Sequence, residues 1–324
     1  MVSVSIVTFH TSLSQLECCL KSLDSRCVSR IYIIDNSRSD HLHKWCSDKP
    51  KVTYLPNDNT GYGAGHNTAI RLELPLPGEY HLVMNSDVEF FPEIIKDIEQ
   101  YMDSHPSTGM LQPKMLGTNG DKQYSCRRLP TPADVFIRRF FPEGWFRGIR
   151  ERYLLKHLDQ ERTWNIPYHQ GSFMFIRKKA LMDTGIFDER FFMYPEDIDL
   201  TRRIHRNYLT VYWPGATIVH HHEAASYKSL RMLGIHIVNM IRYFNKWGWI
   251  HDPERDLFNN QIEGNITYTQ ASKPELKLPP PRQLTKIPAL FFRRTSGFSR
   301  LAKRYLFITS QQRSFTSEYL PSLS

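Results

Sequence analysis

The chain has 324 residues, 40% of them hydrophobic and 23% charged. That composition excludes a disordered protein and leaves enough apolar material to bury a sizeable core as one large α/β domain, or one domain with a tail. The net charge of +9 suggests nucleic acid until it is located: ten Lys or Arg stand against only Glu275 and Glu318 from Ser272 to Ser324, so everything before is nearly neutral.

Val4 to Phe9 is an apolar, β-branched run that reads as a strand, and Leu13 to Leu23 carries apolar residues at helical spacing. Ile31 to Ile34, Val52 to Leu55 and Leu82 to Met84 read as further buried strands, with helices from Asp40 to Trp45 and from Gly65 to Leu72. Strands alternating with helices predict a doubly wound, mostly parallel sheet, and such sheets bind ligands beyond the carboxyl ends of their strands. Polar clusters follow each of these strands: Thr8-Phe9-His10, Asp35-Asn36-Ser37, Asn57 to Asn67, and Asn85-Ser86-Asp87. They are expected to converge on one crevice.

After an aromatic and basic stretch from Phe136 to Trp164, Gly171 to Ile176 reads as a strand returning to the sheet. Helices are expected from Lys179 to Thr184 and from Asp197 to Arg206, then short strands at Thr210 to Trp213 and Thr217 to His220. Leu230 to Phe244 reads as an amphipathic helix, and prolines at 274, 279, 280, 281 and 288 break any regular pattern after Gln270.

Four segments could carry chemistry. Asp87 follows a buried strand, where a carboxylate suits a hard divalent ion that also takes substrate phosphates, although Asn, Ser and Asp also form ordinary turns. Asn59 to Asn67 is glycine-rich, but its glycines at 61, 63 and 65 do not give the G-x-G-x-x-G of a dinucleotide site, so a nicotinamide cofactor is not expected. Glu196, Asp197 and Asp199 open a helix, which the helix dipole favours without any catalysis; the aromatic-rich loop before them, Gly185 to Met193, could hold one carboxylate in a partly dry pocket and raise its pKa toward that of a base. His220-His221-His222 ends a strand beside Glu223, and alternation sends the first and third imidazoles to one face and the second to the other.

Taken in this order, the segments resemble the family 2 glycosyltransferases, most closely the rhamnosyltransferases of bacterial O-antigen and related polysaccharides, over about Val2 to Lys246. The resemblance implies a GT-A fold with a nucleotide-binding part at about 1–115, an acceptor part at about 116–250 and a C-terminal extension over 251–324. It implies that Thr8 and Asp35 contact the nucleoside and that Asn59, Gly61, Gly63 and Asn67 belong to the loop beside the nucleotide. Met84-Asn85-Ser86-Asp87 matches the family's D-x-D region, with Asn85 where the first carboxylate stands and Asp87 as the metal ligand. Gln170-Gly171-Ser172-Phe173-Met174 resembles the A-G-S-F-M strand beside the donor sugar, and Tyr124-Ser125-Cys126-Arg127-Arg128 a Y-S-x-R-x stretch near the active site. Phe192 to Leu200 resembles F-M-Y-x-E-D-I-D-L, whose Glu196-Asp197 pair supplies the base, and His221 begins an H-x-x-x-x-S that approaches the metal diphosphate.

The resemblance implies an inverting transfer in which Asp197 takes the proton of an acceptor hydroxyl while Mg2+ or Mn2+, held by Asp87 and His221, stabilises the leaving nucleoside diphosphate. The expected partners are a nucleotide-sugar donor, with dTDP-L-rhamnose first and UDP-hexoses or UDP-galactofuranose next, and a lipid-linked saccharide acceptor, with no nucleic acid. A noncatalytic scaffold that binds nucleotide sugars is the rival reading. The five cysteines form no C-x-x-C pair and no run of eighteen apolar residues occurs, so a cytoplasmic protein without a spanning helix is expected. The basic tail, with Phe291, Phe292 and Phe298 among its arginines, suggests peripheral contact with the cytoplasmic face of the inner membrane.

Overall fold

A computed structural model describes residues 1–142, 144–221 and 230–264. The basic tail and the segment from His222 to Ser226 lie outside the described residues.

The first half alternates as its sequence predicts: β1 (Val2–Thr8), α1 (Leu13–Ser22), β2 (Val28–Asp35), α2 (Asp40–Ser47), β3 (Val52–Pro56), α3 (Tyr62–Glu73) and β4 (Tyr80–Met84). Side chains start these helices where expected: the Ser12 hydroxyl accepts from the Gln15 N–H, and that of Ser39 from the Leu42 N–H. There follow β5 (Val88–Glu89), α4 (Glu93–Ser104), β6 (Thr108–Leu116), β7 (Lys122–Gln123), α5 (Pro132–Phe140), α6 (Arg147–Tyr153) and β8 (Trp164–Asn165). The remaining elements are β9 (Phe173–Arg177), α7 (Lys178–Thr184), α8 (Glu196–Asn207), β10 (Leu209–His220), α9 (Leu230–Trp247) and α10 (Pro253–Gly264).

One sheet runs in the order β3-β2-β1-β4-β9-β6-β10-β5. The strands from β3 to β4 are parallel, β9 lies antiparallel between β4 and β6, and β6 and β10 are parallel to each other. Alternation divides the apolar residues of the central strands between two cores. Leu82, Met84, Phe173 and Phe175 join Leu16 and Ile95 on one face, while Val83, Met174 and Ile176 join Leu200 and Ile204 on the other. A third cluster, including Phe191, Ile198, Tyr243, Trp247 and Phe258, packs α9 and α10 against α8.

Three sequence expectations change. The two short strands after Thr210 are one strand, β10, whose register against β6 slips between Trp213 and Thr217, opposite Pro113. Proline cannot donate to the ladder, and the slip at Trp213-Pro214-Gly215-Ala216 absorbs that missing bond. The glycine-rich segment is not a loop: Gly63 and Gly65 lie inside α3, and only Gly61 precedes it, at φ 121°. Finally, the folded body does not stop at residue 250, because α10 is tied into it through Asn259, whose amide exchanges hydrogen bonds with the Leu129 backbone at 2.8 and 3.0 Å.

Candidate active site

The carboxyl end of β4, the entry to β9, the start of α8 and the end of β10 enclose a cavity of about 540 Å3, which α5 and α9 cover on one side. Asn85, Asp87, Arg127, Gly171, Glu196 and Asp197 all line it. These six residues span more than 100 positions of sequence: Asn85 and Asp87 follow the carboxyl end of parallel β4, and because β9 runs antiparallel beside it, the start of β9 with Gly171 lies at the same edge, where the start of α8 and the Arg127 loop meet it.

Glu196 and Asp197 are the first two residues of α8, and both are buried, with 3% and 8% of their surface exposed. The Gly171 N–H donates to Asp197 Oδ2 at 3.0 Å and the Ile198 N–H to Oδ1 at 2.7 Å, which fixes the carboxylate against the β9 entry. A methyl group at Gly171 would stand 3.3 Å from Asp197 Cβ, so this approach requires a small residue there. Burial pushes the Asp197 pKa up, against the lowering effect of those two N–H groups and of the Arg127 charge. Burial, and then the neighbouring Asp197, push Glu196 up as well, and its Oε2 is enclosed without a hydrogen bond. Two adjacent dry carboxyl groups resist being ionised together, so one of them keeps its proton well above the ordinary carboxylate range. Just before them, Tyr194 holds φ 94°, a conformation that ring-bearing residues adopt only where the surroundings impose it.

At the opposite wall, Asp87 follows Asn85 and Ser86. The Asn85 N–H donates to the Ser172 carbonyl at 2.9 Å, and Gln15 Nε2 donates to Ser86 Oγ at 3.0 Å. His220 Nε2 stands 3.5 Å from Asp87 Oδ1. The histidine that faces Asp87 is therefore His220, not His221. Strand alternation turns His221 the other way, where its Nε2 lies 3.2 Å from Glu89 Oε1, and only its backbone N–H reaches the Asp87 carbonyl, at 2.9 Å. The donor set at this wall, one carboxylate and one imidazole, fits a divalent ion only if phosphate oxygens complete the shell. Among the described residues, no group of three or more His, Cys, Asp or Glu could hold a metal by itself.

The other expected contacts fall elsewhere. Asp35 is wholly buried and accepts hydrogen bonds from the backbone N–H groups of Ser37 and Ser39 and from the Ser37, Tyr54 and Thr8 hydroxyls, at 2.5 to 3.3 Å. Thr8 is 1% exposed, so neither residue presents surface to a nucleoside. Asn67 is buried in α3, where its side chain exchanges hydrogen bonds with the Phe187 backbone at 2.9 and 3.0 Å, and a methyl at Gly63 would meet Phe187 Cβ at 2.9 Å. These two residues join α3 to the loop that leads into α8. Gly61 packs on the Phe192 backbone, and Asn59 is exposed, accepting from Asn36 Nδ2 at 3.3 Å.

Sequence reasoning missed Tyr62, the first residue of α3. Its hydroxyl lies 2.8 Å from Asn85 Oδ1 and 2.7 Å from the Gly171 carbonyl, so it bridges the two walls. It stood inside the glycine-rich segment, and that spacing gave no sign of its role. Tyr168 was also missed; its hydroxyl receives Arg127 Nη1 at 3.1 Å, while Arg127 Nε is buried without a hydrogen bond. Arg138 and Arg139 from α5 and His236 from α9 complete the lining, and burial, then the two arginines, push the His236 pKa down to about 4.

The family model described as glycosyl transferase family 2 matches residues 3–185. An N-acetylglucosaminyl-diphospho-decaprenol L-rhamnosyltransferase of Mycobacterium tuberculosis is 28% identical over 207 residues, 59% of this chain and 66% of that protein. The low-salt glycan biosynthesis hexosyltransferase Agl10 of Haloferax volcanii is 30% identical over 198 residues, 59% of each chain. The alignments thus cover less than two thirds of the length of either relative. The rhamnosyltransferase WbbL of Escherichia coli K12 is 25% identical over 224 residues, 66% of this chain and 81% of that one. Among solved structures, GalNAc-T7 with UDP, GalNAc and Mn2+ superposes with a TM-score of 0.56 at 14% identity, over 79% of this chain and 49% of that one. The fold is of the GT-A type.

Proposed function

For a chain that belongs to glycosyl transferase family 2 and is a glycosyltransferase, we propose that it transfers one sugar with inversion from a nucleoside diphosphate sugar to a hydroxyl of a lipid-linked saccharide. L-rhamnose from dTDP-L-rhamnose is the first choice of donor. The observation that carries the reading is Asp197, a buried carboxylate of raised pKa held by the Gly171 N–H in one cavity with Asp87. The relatives support the choice of sugar and acceptor: one is named an L-rhamnosyltransferase that acts on a sugar diphospho-decaprenol. The hexosyltransferase relative, at 30% identity, keeps a UDP-hexose as the second choice of donor.

In this reading Asp197 removes the acceptor hydroxyl proton as that oxygen bonds to the anomeric carbon from the side opposite the departing diphosphate. The bond from carbon to the phosphate oxygen breaks with its electron pair on the nucleoside diphosphate, and the configuration inverts. Glu196, pushed toward its neutral form by burial and by Asp197, keeps a second negative charge away from Asp197 and offers a proton donor to a sugar hydroxyl. Asp87, with His220 beside it, would hold Mg2+ or Mn2+, which when bound supplies Lewis-acid neutralisation of the diphosphate. Arg127 lines the same cavity and brings its positive charge toward the diphosphate or the donor sugar. Tyr62 keeps Asn85 and Gly171 in register. The donor nucleotide lies on the half up to about residue 115 and the acceptor on the half that follows.

The test is a panel of dTDP-L-rhamnose, UDP-galactofuranose and UDP-hexoses with a polyprenyl-diphosphate-linked sugar, with and without EDTA, run on the native chain and on Asp197→Asn. Transfer from one donor, lost with EDTA and reduced about 10²- to 10⁴-fold in Asp197→Asn, is the expected result. Undiminished transfer by Asp197→Asn would reject the base.

A further inference from the structure

The outer side of α5 and the turn into α6 carry Phe136, Phe140, Trp145 and Phe146, each between 43% and 59% exposed. They form one patch: Phe136 packs on Phe140 and Phe141 with ring centroids 4.9 and 5.9 Å apart, and Phe141 meets Trp145 at 5.9 Å and Phe146 at 5.2 Å. Scattered exposed rings are ordinary, but a contiguous group of this size marks a contact surface. The patch is also held in place from beneath. Thr131 and Asp134 form a capping box at the start of α5, and the Arg150 guanidinium donates to the Ile137 and Phe141 carbonyls at 3.0 and 2.5 Å.

Charge identifies the partner. Pro132 to Tyr153 contains five arginines and three acids. Of those acids, Asp134 is buried in the cap, and the pair of Glu151 with Arg147 at 2.8 Å cancels one cation, so Arg150 and the exposed Arg152 of α6 carry the positive charge beside the rings. Arg138 and Arg139 lie on the same helix as Phe136 and Phe140 but line the cavity. Rings that enter the boundary between headgroups and acyl chains, bordered by cations that meet phosphates, are the composition of a surface that lies on an anionic membrane.

We propose that the α5–α6 hairpin is the docking surface for an anionic lipid bilayer, with Phe136, Phe140, Trp145 and Phe146 as its anchors. Docked so, α5 places its cavity-lining arginines at headgroup depth, where a sugar carried on a membrane-anchored diphosphate would present its first residues. The purpose of the docking rests on the lipid-linked acceptor reading; the binding itself does not.

The full chain and its F136S/F140S/W145S variant are compared by flotation with phosphatidylcholine vesicles containing about one third phosphatidylglycerol, and with phosphatidylcholine alone. The expected result is that the native chain binds the anionic vesicles more than the neutral ones, and that the variant loses at least about tenfold of that binding while keeping its thermal midpoint. Equal flotation of variant and native chain overturns the proposal. So does sedimentation showing a native dimer that the variant abolishes, which would assign the patch to a second copy of the chain. The vesicles contain no acceptor, so a failure to glycosylate lipid-linked sugars would count against the function and leave this result standing.

Discussion

Asp197 shows what a single residue's surroundings do to its chemistry. In water its carboxyl would be ionised above about pH 4; here burial raises that threshold, and the Gly171 and Ile198 N–H groups and the Arg127 charge recover only part of the difference. A general base works in its ionised form, so transfer should fall on acidification with a midpoint above the ordinary aspartate value. A pH series of kcat with saturating donor checks this, and a midpoint near 4 would mean that the base is a solvated group. The sequence made Asp197, Glu196 and Asp87 legible because a helix start and a strand end are local patterns. It could not show Tyr62 bridging Asn85 to Gly171, since that contact joins residues 23 and 109 positions apart. Nor could it choose between adjacent histidines: His220 and His221 differ only in which side of β10 they leave from, and the pairing of β10 with β5 and β6 settles that.

Among the elements, α8 depends most on its neighbours. Arg202, 1% exposed, donates to both carboxylate oxygens of Asp252 at 2.8 and 2.6 Å and to Glu254 at 2.9 Å, with its guanidinium 4.0 Å from the Trp247 ring. Asp199, fully buried two residues after Asp197 and so on another face of α8, receives Lys246 at 2.6 Å, Trp247 Nε1 at 2.8 Å and Arg203 at 2.9 Å. Removing one member of such a buried group leaves the others desolvated and unpaired, so Arg202→Met should lower stability by about 3–5 kcal/mol. Urea unfolding of the two proteins measures it, and a loss below about 1 kcal/mol would mean that solvent already reaches the group. The sequence announced α8 through its acid-rich start, and β1 to β4 through their uniform apolar runs. It hid β6, because Pro113 interrupts the run, and it hid α5 and α6, because their aromatic faces are not turned to the core and so break the usual spacing.

At the level of the whole molecule, four histidines are kept from protonating. Burial holds His66 well below its ordinary pKa and lowers His81 to about 3 and His169 to about 4, as it also does His236. Their hydrogen bonds confirm how deep they lie: Ser5 Oγ is 2.7 Å from His66 Nδ1 and 2.9 Å from His81 Nε2, beneath β1. The unfolded chain takes up these protons below about pH 6.5 while the folded chain does not, so stability falls as pH drops through that window. Glu196 and Asp197 act in the opposite direction, binding protons when folded, but they are two groups against four. Each proton in surplus is worth about 1.4 kcal/mol per pH unit, and the urea midpoint should drop steeply from pH 7 to about pH 5. A midpoint that holds or rises over this range would show that the carboxyl groups dominate.

The ion pairs that fix α8 also define how this chain could be recombined with a relative. The acids that hold Arg202 come from residues 252 and 254, well past residue 185, where the family match ends. A graft that exchanges the second half of the fold therefore has to take the stretch from the end of α7 through α10 as one block. A junction placed after α8, in the gap before β10, would part Arg202 and Arg206 from Asp252 and Glu254, and Asp199 from Lys246, and the hybrid would inherit buried charges from two parents with no partners in common.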